Sequence, residues 1–329
     1  MSLQRKKAFI LFQLSAEDRS WKGVLLLLGI YIGALLISAV ISPWVYLGVQ
    51  AWHEWAPNAL TTEIEDNDFP DYFDRLRWLP TLIALPLVLK ACGLLSWSAL
   101  GVRWRAGGVG QFFGWFGVGL VLLTGVAGLQ ALHYGASFQV GPMKWLEVLL
   151  LALVSGFLIG LLEEIVFRGM VFRMIYTATG PMLALVGTSL FFSYAHFKIP
   201  DAMWDPATME VHALSGFYVA WWTLFGILED FEFLMFLNLF LFGVVLSLLV
   251  FRGQGSLMPV IGFHAGIVAA ILTYTEVTNI YEITRQLGMD PFWGSGGLRD
   301  GLLTTIAFLV MIFGLTLLPR LLRMNRGGE

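Results

Sequence analysis

The chain has 329 residues, of which 57% are hydrophobic and only 13% charged, with a formal net charge of −3. A typical soluble domain is about one quarter charged, so this composition points to a membrane protein. The charge excludes an electrostatic case for nucleic acid, and the single cysteine, Cys92, excludes a disulfide framework or thiolate metal cluster.

The leader 1–23 is basic, with Arg5, Lys6, Lys7, Arg19 and Lys22. The apolar run after it is too long for the core of a cleaved signal, so an uncleaved first span is expected. Eight spans are expected within a bundle over 24–322: Val24–Leu47, Leu79–Trp97, Phe112–Leu132, Leu146–Phe172, Met182–His196, Leu234–Val250, Leu257–Thr275 and Leu302–Leu318. The fold class is therefore all-α, a polytopic membrane helix bundle with a core at 146–275 and a short tail at 323–329. The acid-rich stretch from Gln50 to Arg77 reads as the longest extramembrane segment. Trp44, Trp52, Trp55, Trp78 and Trp104 suit an interfacial belt.

Arginines follow every even-numbered span: Arg103 and Arg105, Arg168 and Arg173, Arg252, then Arg320, Arg323 and Arg326. This pattern places both termini in the cytoplasm. The segment Leu214–Leu228 is apolar but short, and Glu229, Asp230 and Glu232 follow it. Counting it as a ninth span would break the charge pattern, so it reads as an interfacial or re-entrant helix. Gly156 with Gly160, and Gly110 with Gly114, have the spacing of close helix contacts.

The chemistry concentrates in the fourth span, at Leu161-Leu162-Glu163-Glu164-Ile165-Val166-Phe167-Arg168-Gly169. Ionisable groups within a membrane are costly and usually pair or work. Glu164 and Arg168 lie four apart, acid first, and an internal ion pair is expected. Neighbours on a helix point about 100° apart, so Glu163 and Glu164 are not expected to aim at one spot. Glu163 is left without a cation on its own helix, a setting that favours a base. A hairpin turning at Thr179-Gly180-Pro181 would bring His196 to the depth of Glu163. His264 reaches that depth only if the hairpin protrudes or the spans tilt.

Each of these residues alone has a bland reading. A single membrane histidine is often a packing residue, and Glu164–Arg168 could be structural. Together, several costly groups at matching positions favour function. His53, His133 and His212 read as interfacial or solvated.

Glu163-Glu164-x-x-x-Arg168, then Phe192-x-x-x-His196, then His264 in a later span, resembles the CPBP family. That family contains the type II CAAX prenyl endopeptidases and the bacteriocin-processing and abortive-infection membrane proteins. The resemblance implies an intramembrane glutamic endopeptidase with no cofactor and no bound metal. It implies Glu163 as general base, His196 as helper in activating water, and His264 as oxyanion stabiliser. Glu164, Arg168 and Phe192 would organise the site. The implied partners are the lipid bilayer and a membrane-anchored or membrane-spanning peptide substrate.

One departure from the family pattern is Val268, where Asn or Asp usually stands one turn after the histidine. Asn238, polar within the sixth span, is the first candidate to supply the missing donor. Two other readings stand beside this one: a non-catalytic membrane scaffold or immunity factor, and a zinc hydrolase built on His196, His264 and a glutamate.

Overall fold

The computed structural model describes residues 17–91, 95–102, 106–197, 203–229, 231–288 and 290–317. Its elements are helical, with one isolated bridge between Phe138 and Thr278. The chain is an all-α membrane bundle. The helices are α1 (Glu17–Trp55), α2 (Ala59–Glu65), α3 (Phe69–Ala91), α4 (Trp97–Leu100), α5 (Ala106–Tyr134) and α6 (Pro142–Glu164). A π-helical stretch, Ile165–Val171, then leads to α7 (Phe172–Thr179), α8 (Pro181–Ala195) and α9 (Ser215–Phe225). The last four are α10 (Phe233–Arg252), α11 (Met258–Val277), α12 (Ile280–Leu287) and α13 (Leu302–Thr316).

Five helical runs are long and apolar enough to cross a membrane. Helices α8, α9 with its 3-10 extension, and α13 are apolar but shorter. Each of the eight expected spans overlaps a helix, with residues 92–94 of the second and 318 of the last outside the described residues. Helix α1 runs to Trp55 and α3 begins at Phe69, so helix extends into both ends of the segment read as extramembrane. Local chemistry explains this. Asn58 and Thr61 form a reciprocal capping box that starts α2. Phe69, Tyr72 and Phe73 then supply a buried face among the acids.

The chain divides into two compact units. The smaller comprises Trp21–Cys92 and Ala195–Phe231. Its core joins Leu35 and Ala39 of α1, Phe69 and Phe73 of α3, Trp204, and Val219 and Ala220 of α9. Gly216 lets α9 meet the α1 backbone at Ala39, where any side chain would clash. Arg77 and Asp74 pair at 2.8 Å.

The larger unit comprises Met1–Ser20, Gly93–Tyr194 and Glu232–Glu329. Helix α11 lies at its centre, packed against both α5 and α6. Its small residues make this possible. Gly262 and Gly266 admit the α5 backbone at Phe112 and Phe116, and Ala265 and Ala269 meet Gly156 and Gly160 of α6. The glycine pair expected in the fourth span therefore makes its contact. Gly110 and Gly114 face open space, and the close approach on α5 is made by Gly119.

The hairpin turns at Gly180, whose φ of 94° ends α7 before Pro181 opens α8. Arg168 and Arg173, counted among the charges at the exit of the fourth span, are both fully buried. Arg173 donates to the carbonyls of Ala99, Leu100 and Gly255, tying α4 to the loop after α10. Arg103, Arg105, Arg320, Arg323 and Arg326 lie outside the described residues.

Candidate functional site

The site begins with a change of helix type. Helix α6 ends at Glu164, and the next seven residues form the π-helical stretch. Such segments replace i→i+4 bonds with i→i+5 bonds and occur often at functional sites. Within it, Gly169 has only 3.2–3.3 Å to Leu100 and Leu257 at the place a Cβ would occupy.

Contact between α6 and α11 places the reacting groups. A Cβ at Gly160 would lie 3.1 Å from the Ala265 nitrogen and 3.2 Å from the Ile261 oxygen. Glu164 stands one turn after Gly160, and His264 stands beside Ala265. The carboxylate and the imidazole therefore meet where the helices are closest. His264 Nδ1 and Glu164 Oε1 are 2.7 Å apart, and both residues are buried. With Glu164 ionised, Nδ1–H donates to it, and Nε2 faces the other way.

Glu163 lies on that other side. Its Oε2 is 3.9 Å from His264 Nε2, and its side chain is 28% exposed. The two adjacent carboxylates thus address opposite nitrogens of one ring. They point apart, as expected of helix neighbours, and flank one ring rather than aim at one spot. The angular step between neighbours is real, but an imidazole is wide enough to be flanked from both directions.

Arg168 completes the buried cluster. It donates to Glu164 Oε1 at 3.0 Å and to the Gly243 carbonyl at 3.2 Å. Its guanidinium lies over the Phe192 ring, 4.5 Å from the centroid. The expected Glu164–Arg168 ion pair is therefore present, with one oxygen of Glu164 shared between Arg168 and His264. Glu164 Oε2 is buried and has no hydrogen bond among the described residues. Phe192 also stands 6.1 Å from the His264 ring, and Phe242 presents its edge at 5.0 Å and 87°. Phe308 of α13 stacks on Phe242.

The depth of His264 is accounted for by the hairpin. Helices α6 and α11 run antiparallel, and His264 is only six residues into α11. Glu164 precedes the turn at Thr179 by fifteen residues. On straight helices at about 1.5 Å per residue, the hairpin tip passes the start of α11 by roughly 13 Å.

His196 follows α8 directly, is half-buried, and belongs to the smaller unit. Asn238 does not have the expected free donor. Its amide nitrogen donates to the carbonyls of Arg299 and Gly301 at 2.9 and 3.0 Å, and its oxygen accepts from Thr305 at 2.7 Å. Both amide hydrogens hold the entry to α13, and neither is left for an oxyanion. Val268 is half-buried one turn beyond His264. Phe242 and Gly243 had no sequence reading. The only hint was a small residue beside an aromatic in an apolar span. Among the described residues, no three His, Cys, Asp or Glu side chains form a group suited to a metal ion.

Residues 145–270 match the family model of the type II CAAX prenyl endopeptidases, Rce1-like. This segment is therefore similar to the CAAX proteases of that family. It contains every residue of the buried cluster, including Glu163, Glu164, Arg168, Phe192, Phe242 and His264. The likeness is confined to these residues, and the five long apolar helical runs accord with a membrane protein. No curated protein and no solved structure matches the chain.

Proposed function

We propose that the protein is an intramembrane endopeptidase in which Glu163 acts as general base on water. The observation that carries this reading is the His264 ring held between two carboxylates. Glu164 sets its orientation from the Nδ1 side, and Glu163 stands 3.9 Å from Nε2. That separation is too long for a direct hydrogen bond and suits one oxygen atom placed against both groups.

In the proposed reaction, Glu163 takes a proton from water while the water oxygen attacks the peptide carbonyl carbon. The carbonyl oxygen gathers negative charge, and His264 Nε2 stabilises it when that nitrogen carries a proton. Glu163 then returns the proton to the departing nitrogen as the C–N bond breaks, giving an acid and an amine. Arg168, fixed by Gly243 and Phe192, holds Glu164 against His264, a positioning role. No step calls on a metal or cofactor.

The proposed substrate is a membrane-anchored peptide. The proposed orientation puts the first residues of α5 and α11 at the cytoplasmic face of a bacterial plasma membrane. The test is cleavage of a synthetic C-terminal peptide, with and without a prenyl group, by purified protein in lipid nanodiscs containing a chelator. Chelator-resistant cleavage that depends on the lipid anchor is expected. Loss of cleavage on chelation, restored by zinc, would favour the metal reading. Val268 is the one observation favouring a non-catalytic scaffold, and absence of cleavage of both peptides would favour that reading.

A further inference from the structure

The larger unit contains a cavity of about 460 Å³ away from the Glu164–His264 cluster. Its walls come from α5, α6 and α11 and include Leu120, Ala127, Gly128, Trp145, Ala270 and Thr273. This volume lies in the range of small-ligand sites. On α5 the lining runs from Leu120 to Ala131, about 16 Å of helix, so the cavity is a slot along the helix axis.

Three observations identify the occupant. First, the slot is continuous with the lipid-facing surface. Leu129, Leu132 and Leu146 around it are exposed apolar side chains on helices long and apolar enough to cross the membrane, and Phe138 in the loop between α5 and α6 is exposed beside them. Second, the walls are apolar except for a few hydroxyls, and those are not equivalent. Tyr274 donates to Gln130 and Thr278 to the Tyr274 carbonyl. The Thr273 hydroxyl is buried and has no hydrogen-bond partner among the described residues. Third, Thr273 lies four residues before the end of α11, about 6 Å along the helix. Lys144, Glu147 and Glu276 cluster near this end, with Lys144 and Glu147 paired at the surface. This is the level at which a lipid changes from hydrocarbon to ester.

We propose that the slot binds one acyl chain of a bilayer glycerolipid, with the Thr273 side chain rotating so that its hydroxyl, buried in the wall of the slot, donates to the chain's ester carbonyl. A hydrocarbon chain gains little by moving from bilayer to protein, since both are apolar. Binding rests instead on wall contacts that an unfilled slot forfeits and on the hydroxyl that otherwise lacks a partner. The slot lies at the end of α11 opposite Met258, whereas a substrate anchored in the cytoplasmic leaflet enters from the Met258 side. The occupant is therefore a lipid of the opposite leaflet. The choice of leaflet rests on the proposed orientation and substrate, whereas the slot and its labelling test do not.

The test uses the full chain in nanodiscs doped with a phosphatidylcholine bearing a photoactivatable diazirine on one acyl chain. Adducts are mapped by peptide mass spectrometry. Labelling is expected to concentrate on 120–131 and 270–278, above that on the exposed α1 residues Leu36 and Val40. Gly128→Leu fills the slot from a position whose Cβ meets nothing within 4 Å, and it should remove the excess labelling. Thr273→Val keeps the shape and should lower slot labelling by roughly fivefold, the weight of one hydrogen bond. Labelling equal to that of α1, or unchanged in both variants, would overturn the proposal. So would displacement of the lipid by a prenylated peptide, which would make the slot a substrate site.

Discussion

Replacing Arg168 by methionine removes a fully buried cation while retaining most of the side-chain length. The loss includes the 3.0 Å ion pair with Glu164, the 3.2 Å bond to Gly243 and the contact with Phe192. Removing one partner of a buried pair typically costs about 3–5 kcal/mol, because the other charge stays buried. His264 still bonds to Glu164 Oε1, so the lower end applies, about 3 kcal/mol. At roughly 2–4 °C per kcal/mol, melting should fall by roughly 6–12 °C. Thermal unfolding in detergent, followed by tryptophan fluorescence, reads this directly. The double variant Glu164→Gln with Arg168→Met removes both charges and should melt closer to wild type than Arg168→Met alone. A single variant melting within about 1 °C of wild type would refute a coupled buried pair, because its expected cost is several times larger.

Two further predictions follow from the same geometry. Gly160→Val should push α6 from α11, since even a Cβ there lies 3.1–3.2 Å from backbone atoms. A displacement of about 1 Å would stretch the 2.7 Å Glu164–His264 bond beyond hydrogen-bond range and lower turnover by roughly 100-fold, measured against the folded fraction on gel filtration. Val268→Asn places an amide one turn after His264 and should raise turnover by up to roughly tenfold. Unchanged turnover with a loss of about 1–3 kcal/mol in stability would show an amide with no oxyanion to meet.

Much of the helical order was legible because long apolar runs have few alternatives in a bilayer. The Glu164–Arg168 pair was legible because spacing within one helix places its partners. So was the Thr179-Gly180-Pro181 turn, where glycine supplies the positive φ and proline starts the next helix. The shared imidazole was not legible, because its position depends on which helix packs beside α6. Gly262 and Gly266 on one face of α11 and Ala265 and Ala269 on another decide that through backbone contacts. The π-helical stretch after Glu164 carries no compositional mark. The full burial of Arg168 and Arg173 at the span's exit was not legible for a related reason. A guanidinium near a span end can turn inward when carbonyls and a carboxylate await it, and a count of residues does not register direction. Asn238 shows the same limit, since its partners at Arg299, Gly301 and Thr305 are more than sixty residues away.

The central claim is that Glu163 supplies the base while Glu164 and Arg168 only hold His264 in place. Single-turnover cleavage of a lipid-anchored peptide by purified Glu163→Gln protein tests it most directly. Gln retains the size of Glu and leaves the Glu164–His264 and Glu164–Arg168 bonds intact, so melting should match wild type. The account predicts bound peptide and a cleavage rate lower by at least roughly 100-fold, the lower bound of what a positioned base contributes. Cleavage at a rate near that of wild type would contradict it.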